Sequence, residues 1–157
     1  MARFVHVNLI AKDWRRLAFF YQEVFGCVPV PPERHFQGAW LSSATGVPDA
    51  ALEGMHLRLP GGDECGPTLE VFQYSQVLDQ SAAAANRQGF GHVAFEVDDV
   101  PGAASLVLAH GGTMLGELVE RRIEGVGLIT FAYVMDPEGN IIELQQWSEL
   151  PAFDSAG

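Results

Sequence analysis

Displacing the chain by 86 residues lays FVHVNLIAKDWRRLAFFYQEVFG (4–26) over FGHVAFEVDDVPGAASLVLAHGG (90–112), and this internal repeat constrains the fold more than any other feature. Six columns are identical: Phe4/Phe90, His6/His92, Val7/Val93, Asp13/Asp99, Ala18/Ala104 and Gly26/Gly112. Each half reads as a strand, an acidic residue, a helix and then glycine. Asp13 and Asp99 stand where a helix N-cap belongs, since a carboxylate there accepts a free N–H of the first turn. Trp14, Leu17, Ala18, Tyr21, Val24 and Phe25 make one apolar face of the first helix. Val100, Ala103, Ala104 and Val107 do so in the second, with Pro101 tolerated in the first turn. Gly26 and Gly111 fall where helices commonly end in the left-handed conformation.

The ends of the halves match at a shift of 73, which places TLEVFQY (68–74) on IIELQQW (141–147) and Glu70 on Glu143. The drop in shift leaves 13 additional residues in the first half. GAWLSSATGVPDAAL (38–52) is rich in turn formers and accommodates them as a loop or short helix. Further strands are expected over 36–42, in GMHLRLP, in TMLGELVERRI and in GLITFAYVM, with turns at PGGDECG, IEGVG and DPEGN. The Ala-rich, polar stretch around 77–87 reads as a linker with some helix, and the terminal AFDSAG as a frayed end. The expected fold is α+β: one domain over 1–157, built from two paired βαβββ modules of about 1–76 and 88–150. They form a concave, partly open barrel-like cup with the helices outside.

The repeat also turns isolated polar residues into a set. His6 and His92 share one place in the first strands; Glu70 and Glu143 share one place in the last. Period-2 alternation sets these four apart from Val5, Val7, Leu9, Leu69, Val71, Val93, Phe95, Ile142 and Leu144, which form the opposite faces. A single strand histidine is ordinarily a core or surface residue, and a single strand glutamate is ordinarily solvated. Two of each at symmetric places differ, because a buried carboxylate is costly unless a cation or donor compensates it. Neutral imidazole with carboxylate suits one divalent ion: Zn, Ni, Co, Fe or Mn.

With a net charge of −11, the chain lacks the clustered Lys and Arg that nucleic acid or an anionic membrane surface requires. Its longest apolar run, GVGLITFAYVM, falls short of the roughly 18 residues of a membrane span. MARFVHVNL does not read as a signal peptide, and two cysteines, Cys27 and Cys65, make no disulfide framework. A cytoplasmic protein is the simplest expectation.

In HVNLIAKDWRRLAFFYQEVFG, TLEVFQY, GHVAFEVDDV and DPEGNIIELQQW, the chain resembles the vicinal oxygen chelate superfamily: glyoxalase I, methylmalonyl-CoA epimerase, extradiol dioxygenases, and fosfomycin- and bleomycin-resistance proteins. The resemblance implies a dimer and a metal held by His6, Glu70, His92 and Glu143. A His/Glu/His/Glu set is similar to that of glyoxalase I, a lyase working through a metal-stabilised enediolate on a carbonyl or thiol-adduct substrate. Glu70 or Glu143 would then move the proton. Epimerases of the family commonly carry glutamine at the place of Glu70, although the loop layout around GVPDAALEGMHLRLPGG is similar to theirs. Dioxygenases use two histidines and one glutamate, and the bleomycin-binding relatives dispense with metal. Arg58, Arg121 and Arg122 are candidates to hold the anionic groups of a glutathione or coenzyme A adduct. Phe72, Tyr74, Phe90 and Trp147 are candidates to line the substrate cup. His35, His56 and His110 have no repeat partner of their own type and read as surface residues.

Overall fold

A computed structural model describes residues 1–148; the AFDSAG tail lies outside the described residues. The chain divides into two compact units, Met1–Ala82 and a second from Ala83 onward. Each is an open mixed sheet with a helix packed on one face, the expected α+β class; the strand–helix–strands order expected from the repeat holds in both, with one strand more than βαβββ in the second.

The first unit runs β1 (His6–Ile10), α1 (Trp14–Phe25), β2 (Val28–Gln37), α2 (Ala39–Thr45), β3 (Ala51–Arg58) and β4 (Thr68–Tyr74). Its sheet order is β1-β4-β3-β2, with β1 parallel to β4 and the other pairs antiparallel. Asp13 caps α1, accepting the Arg16 N–H at 3.1 Å, and Gly26 closes it in the left-handed conformation (φ 66°). The Trp14, Leu17, Phe20 and Tyr21 side chains are buried, as are Leu57, Leu69 and Val71 on β3 and β4, against which α1 packs. That burial supplies most of the unit's apolar stabilisation.

The expected strand over 36–42 is corrected: β2 ends at Gln37, and Ala39–Thr45 is helix. The true strand lies earlier, in VPVPPERHFQ, where Pro29, Pro31 and Pro32 obscure the alternation. An edge strand tolerates them because one side of its backbone has no ladder to maintain. The ladder shifts register between Val30 and Arg34, and the Pro31–Pro32 bond is cis. Helix α2 and its flanking turns take up most of the additional residues of the first half, and the longer connection between β3 and β4 takes up the rest. Its Leu41 packs with Ala50, Leu52 and Phe72 in a small second core, bordered by Val47 and Tyr74.

The second unit runs β5 (Val93–Glu96), α3 (Val100–Ala109), β6 (Thr113–Met114), β7 (Val119–Ile123), β8 (Gly127–Met135) and β9 (Ile141–Ser148). Its order is β5-β9-β8-β6, with β7 also pairing β8 and β5 parallel to β9. TMLGELVERRI is therefore two strands rather than one. Asp99 opens α3 through its main-chain carbonyl, which accepts the Ala103 N–H, but its carboxylate makes no capping bond. Pro101 removes one of the N–H groups such a carboxylate would reach. The DPEGN turn is held by Asp136, which accepts from the Glu138 and Asn140 N–H groups and from the Asn140 amide. The linker stretch contains no helix, and no helix among the described residues is long and apolar enough to cross a membrane.

The repeat identity Gln73/Gln146 has a structural explanation. Gln73 accepts the Trp14 N–H at 3.3 Å, and Gln146 donates to the Asp98 carbonyl. Each last strand thus ties down the start of its own helix.

Two outcomes are expected. Gly54 lies against the Val71 carbonyl and the Phe72 ring, where an added Cβ would collide with both. Gly54→Ala should cost about 2–3 kcal/mol, read as a lower urea midpoint. Cys27 is buried, which pushes its thiol up to about 12, whereas Cys65 is exposed. Since the thiolate is the reactive form, one thiol per native chain, Cys65, should react with iodoacetamide at pH 8, and both after denaturation.

Candidate metal centre

Glu70 stands at the centre of the first unit's sheet. Its strand has β1 on one side and β3 on the other, so its side chain is flanked from both. In register, Asn8 of β1 and His56 of β3 lie directly beside it. The Asn8 amide donates to Oε2 at 3.2 Å, and His6 Nε2 lies 3.4 Å from the same oxygen. His56 Nε2 lies 3.0 Å from Oε1. Only 9% of Glu70 is exposed.

His56 therefore belongs to the site, which corrects its reading as a surface residue. Its Nδ1 is 3.1 Å from the Thr68 hydroxyl, and its ring packs edge-on against His6 and Phe72. Burial lowers its pKa; Glu70 opposes this, and Arg34 and His6 add to it. A neutral His56 can donate through Nε2–H to Glu70 and accept the Thr68 O–H at Nδ1. Both polar ends of the ring are then satisfied.

The second unit repeats the arrangement with different chemistry. His92 Nε2 lies 2.9 Å from Glu143 Oε2. Tyr133 occupies the place of His56: it is the cross-strand neighbour of Glu143, and its ring centroid is 5.1 Å from that of His92. Burial, then the Glu143 charge, raises its hydroxyl pKa. Ala94 stands where Asn8 does, so Glu143 lacks the amide donor. His92 itself precedes β5 and is half-exposed, rather than lying within a buried strand as GFGHVAFEVDDV suggests.

The structure thus brings together His6 with Glu70 in one unit and His92 with Glu143 in the other. Metal–ligand bonds of about 2.1 Å place neighbouring ligand atoms about 3.0 Å apart at octahedral angles and about 3.4 Å apart at tetrahedral ones. Both His–Glu pairs have that spacing, and imidazole with carboxylate is a donor set that divalent ions accept. Among the described residues, no group of three or more His, Cys, Asp or Glu side chains is arranged to hold an ion. The first unit offers Glu70 with His6 and His56 beside it, and the second offers Glu143 with His92.

The remaining candidates separate. Phe72 is part of the second core, with 9% of its surface exposed, while Phe90 is fully exposed outside any strand. Arg121 and Arg122 lie on the exposed β7, and Arg58 is half-buried. His35 is a surface residue, as expected, between Glu33 and Glu53.

The family model described as Glyoxalase/Bleomycin resistance protein/Dioxygenase superfamily matches residues 3–144. The chain belongs to this superfamily. The resemblance seen in its motifs is thereby borne out, and solved structures agree on the fold. A glyoxalase family protein from Bacillus cereus is 21% identical, with a TM-score of 0.78 over 94% of this chain and 95% of that one. A glyoxalase I mutant from Zea mays is 24% identical, with a TM-score of 0.63 over 95% of this chain and 46% of that one. The fosfomycin resistance protein FosX from Listeria monocytogenes is 16% identical, with a TM-score of 0.55 over 94% and 95%. No curated protein matches the chain in sequence.

Replacing His56 leaves a buried carboxylate oxygen and the Thr68 hydroxyl without their partner. In this superfamily member His56→Ala should cost about 1–3 kcal/mol in urea unfolding, and His56→Gln less, because an amide can still donate.

Proposed function

We propose that this chain is a divalent-metal-dependent enzyme that moves a proton on a carbon next to a carbonyl, as glyoxalase I does. His6, Glu70, His92 and Glu143 are its metal ligands and a small carbonyl or thiol-adduct compound is its substrate. The observation that carries this reading is the recurrence of one His–Glu pair, at ligand spacing, in both units. When bound, the ion supplies Lewis-acid charge against the negative charge that develops on substrate oxygen. The chain's own residues supply the proton transfer. Glu70 is held by Asn8 and His56. Among the described residues, Glu143 has His92 as its one hydrogen-bonding or ion-pair partner. Glu143 is thus the freer carboxylate and the better proton carrier. The working assembly in this reading is a homodimer.

A metal-free binding protein is the second reading. The observation favouring it is that Glu70 already has protein donors to offset its burial, so the fold does not require a cation there.

Metal analysis separates the two. Protein purified without chelator should carry about one divalent ion per site, and Glu70→Gln with His92→Ala should lose it. Glu143→Gln should lower turnover by about 10²–10⁴-fold. Incubation in D₂O with the methylglyoxal–glutathione adduct should yield lactoylglutathione. Deuterium at the α-carbon of methylmalonyl-CoA would instead indicate an epimerase, and oxygen uptake with a catechol a dioxygenase. Unaltered ligand binding by protein that never takes up metal would overturn the enzyme reading.

A further inference from the structure

Nine Lys and Arg residues share this chain with twenty Asp and Glu, so a basic side chain has ample choice of carboxylates. Arg15 takes Glu33 in a two-pronged pair at 2.8 and 2.9 Å, and Lys12 takes Asp79. Arg34 and Arg58 take none among the described residues. Arg34 donates to the Pro32 carbonyl of its own strand, and the Arg58 side chain has neither a hydrogen bond nor an ion pair among the described residues. Both are half-buried.

Their positions give this a meaning. Arg34 lies opposite Gly54 and Arg58 opposite Thr68, so the two flank His56 on the face that carries Glu70. Arg34 is within electrostatic reach of His56. A guanidinium presents five N–H donors in a fork that matches an oxyanion, and half-burying one without a carboxylate is costly. In a strongly acidic protein, two such groups beside a carboxylate–imidazole site are poorly explained by stability. An incoming anion that would otherwise be repelled by Glu70 explains them.

We propose that Arg34 and Arg58 form an oxyanion-binding site that holds the carboxylate or phosphate end of the substrate beside His56 and Glu70. The substrate class narrows accordingly, from any small carbonyl compound to an anionic one. The proposal rests on the reading of this face as the substrate side, but not on a bound metal.

The test uses the full chain twice, once dialysed against chelator and once reloaded with divalent ion. Each sample is titrated with inorganic phosphate and with acetate while the histidine ring signals are followed by NMR. Saturable binding is expected in the chelated protein, weakened tenfold or more by Arg34→Gln or Arg58→Gln. Arg34→Lys should weaken it less, since the charge remains, and Arg16→Gln on the outer face of α1 should leave it unchanged. Circular dichroism checks that each variant is folded. Tighter phosphate than acetate assigns a phosphorylated substrate, and the reverse assigns a carboxylate. Failure to saturate, or glutamine variants that bind like the parent, would overturn the proposal. Because the chelated arm contains no metal, its failure leaves the metal reading standing. A protein that never takes up metal leaves this one standing.

Discussion

In each unit the last strand runs between the first, to which it is parallel, and the strand just before it in sequence, to which it is antiparallel. A side chain at the middle of that strand is therefore approached on one face from both sides. This is why Glu70 and Glu143 are shielded while His6, on one edge strand, and His92, just before the other, stay partly open. Parallel pairing needs a crossover, and the helix packed on the opposite face belongs to it. The helix buries the hydrophobic side of the sheet, and the chain that returns from it puts the glutamate beside the histidine.

The two units use that geometry unequally. Glu70 is a fixed carboxylate, with an amide and an imidazole directed at it and a threonine steadying the imidazole. Glu143 has an aromatic neighbour where Glu70 has His56, and a methyl group where Glu70 has an amide. A similar backbone thus carries two carboxylates with different sets of partners, and the proposed division between holding and proton transfer rests on that difference. The two half-buried arginines that take no carboxylate among the described residues, Arg34 and Arg58, both belong to the first unit. Substrate orientation is then a property added to one copy of the module rather than inherited by both.

Much of this was legible in the sequence, and the places where it was not have physical causes. GLITFAYVM and TLEVFQY coincide with β8 and β4 because uninterrupted β-branched and aromatic runs between turn formers suit few conformations but a strand. VPVPPERHFQ was hidden by prolines that an edge strand tolerates. His56 was hidden because GMHLR and FAYVM, which β3 and β8 align at a shift of 77, share no identical residue. Repeat identity revealed the ligand-type pairs and also marked Gln73 and Gln146. The structure shows those two to be helix anchors, so symmetry alone does not separate chemistry from scaffolding.

The sequence by itself determined the α+β class, the strand–helix opening and the last strand of each half, and the placing of one histidine and one glutamate at matching positions in each. Those features are written in local periodicity and in a repeat that any displacement of the chain exposes. Only the tertiary structure decided that His56 joins Glu70, that Tyr133 takes the same place beside Glu143, and that Arg34 and Arg58 lie on the face of Glu70 without a carboxylate partner among the described residues. Strand register sets these relations, and register is fixed by which side chains pack across a sheet, not by their order along the chain.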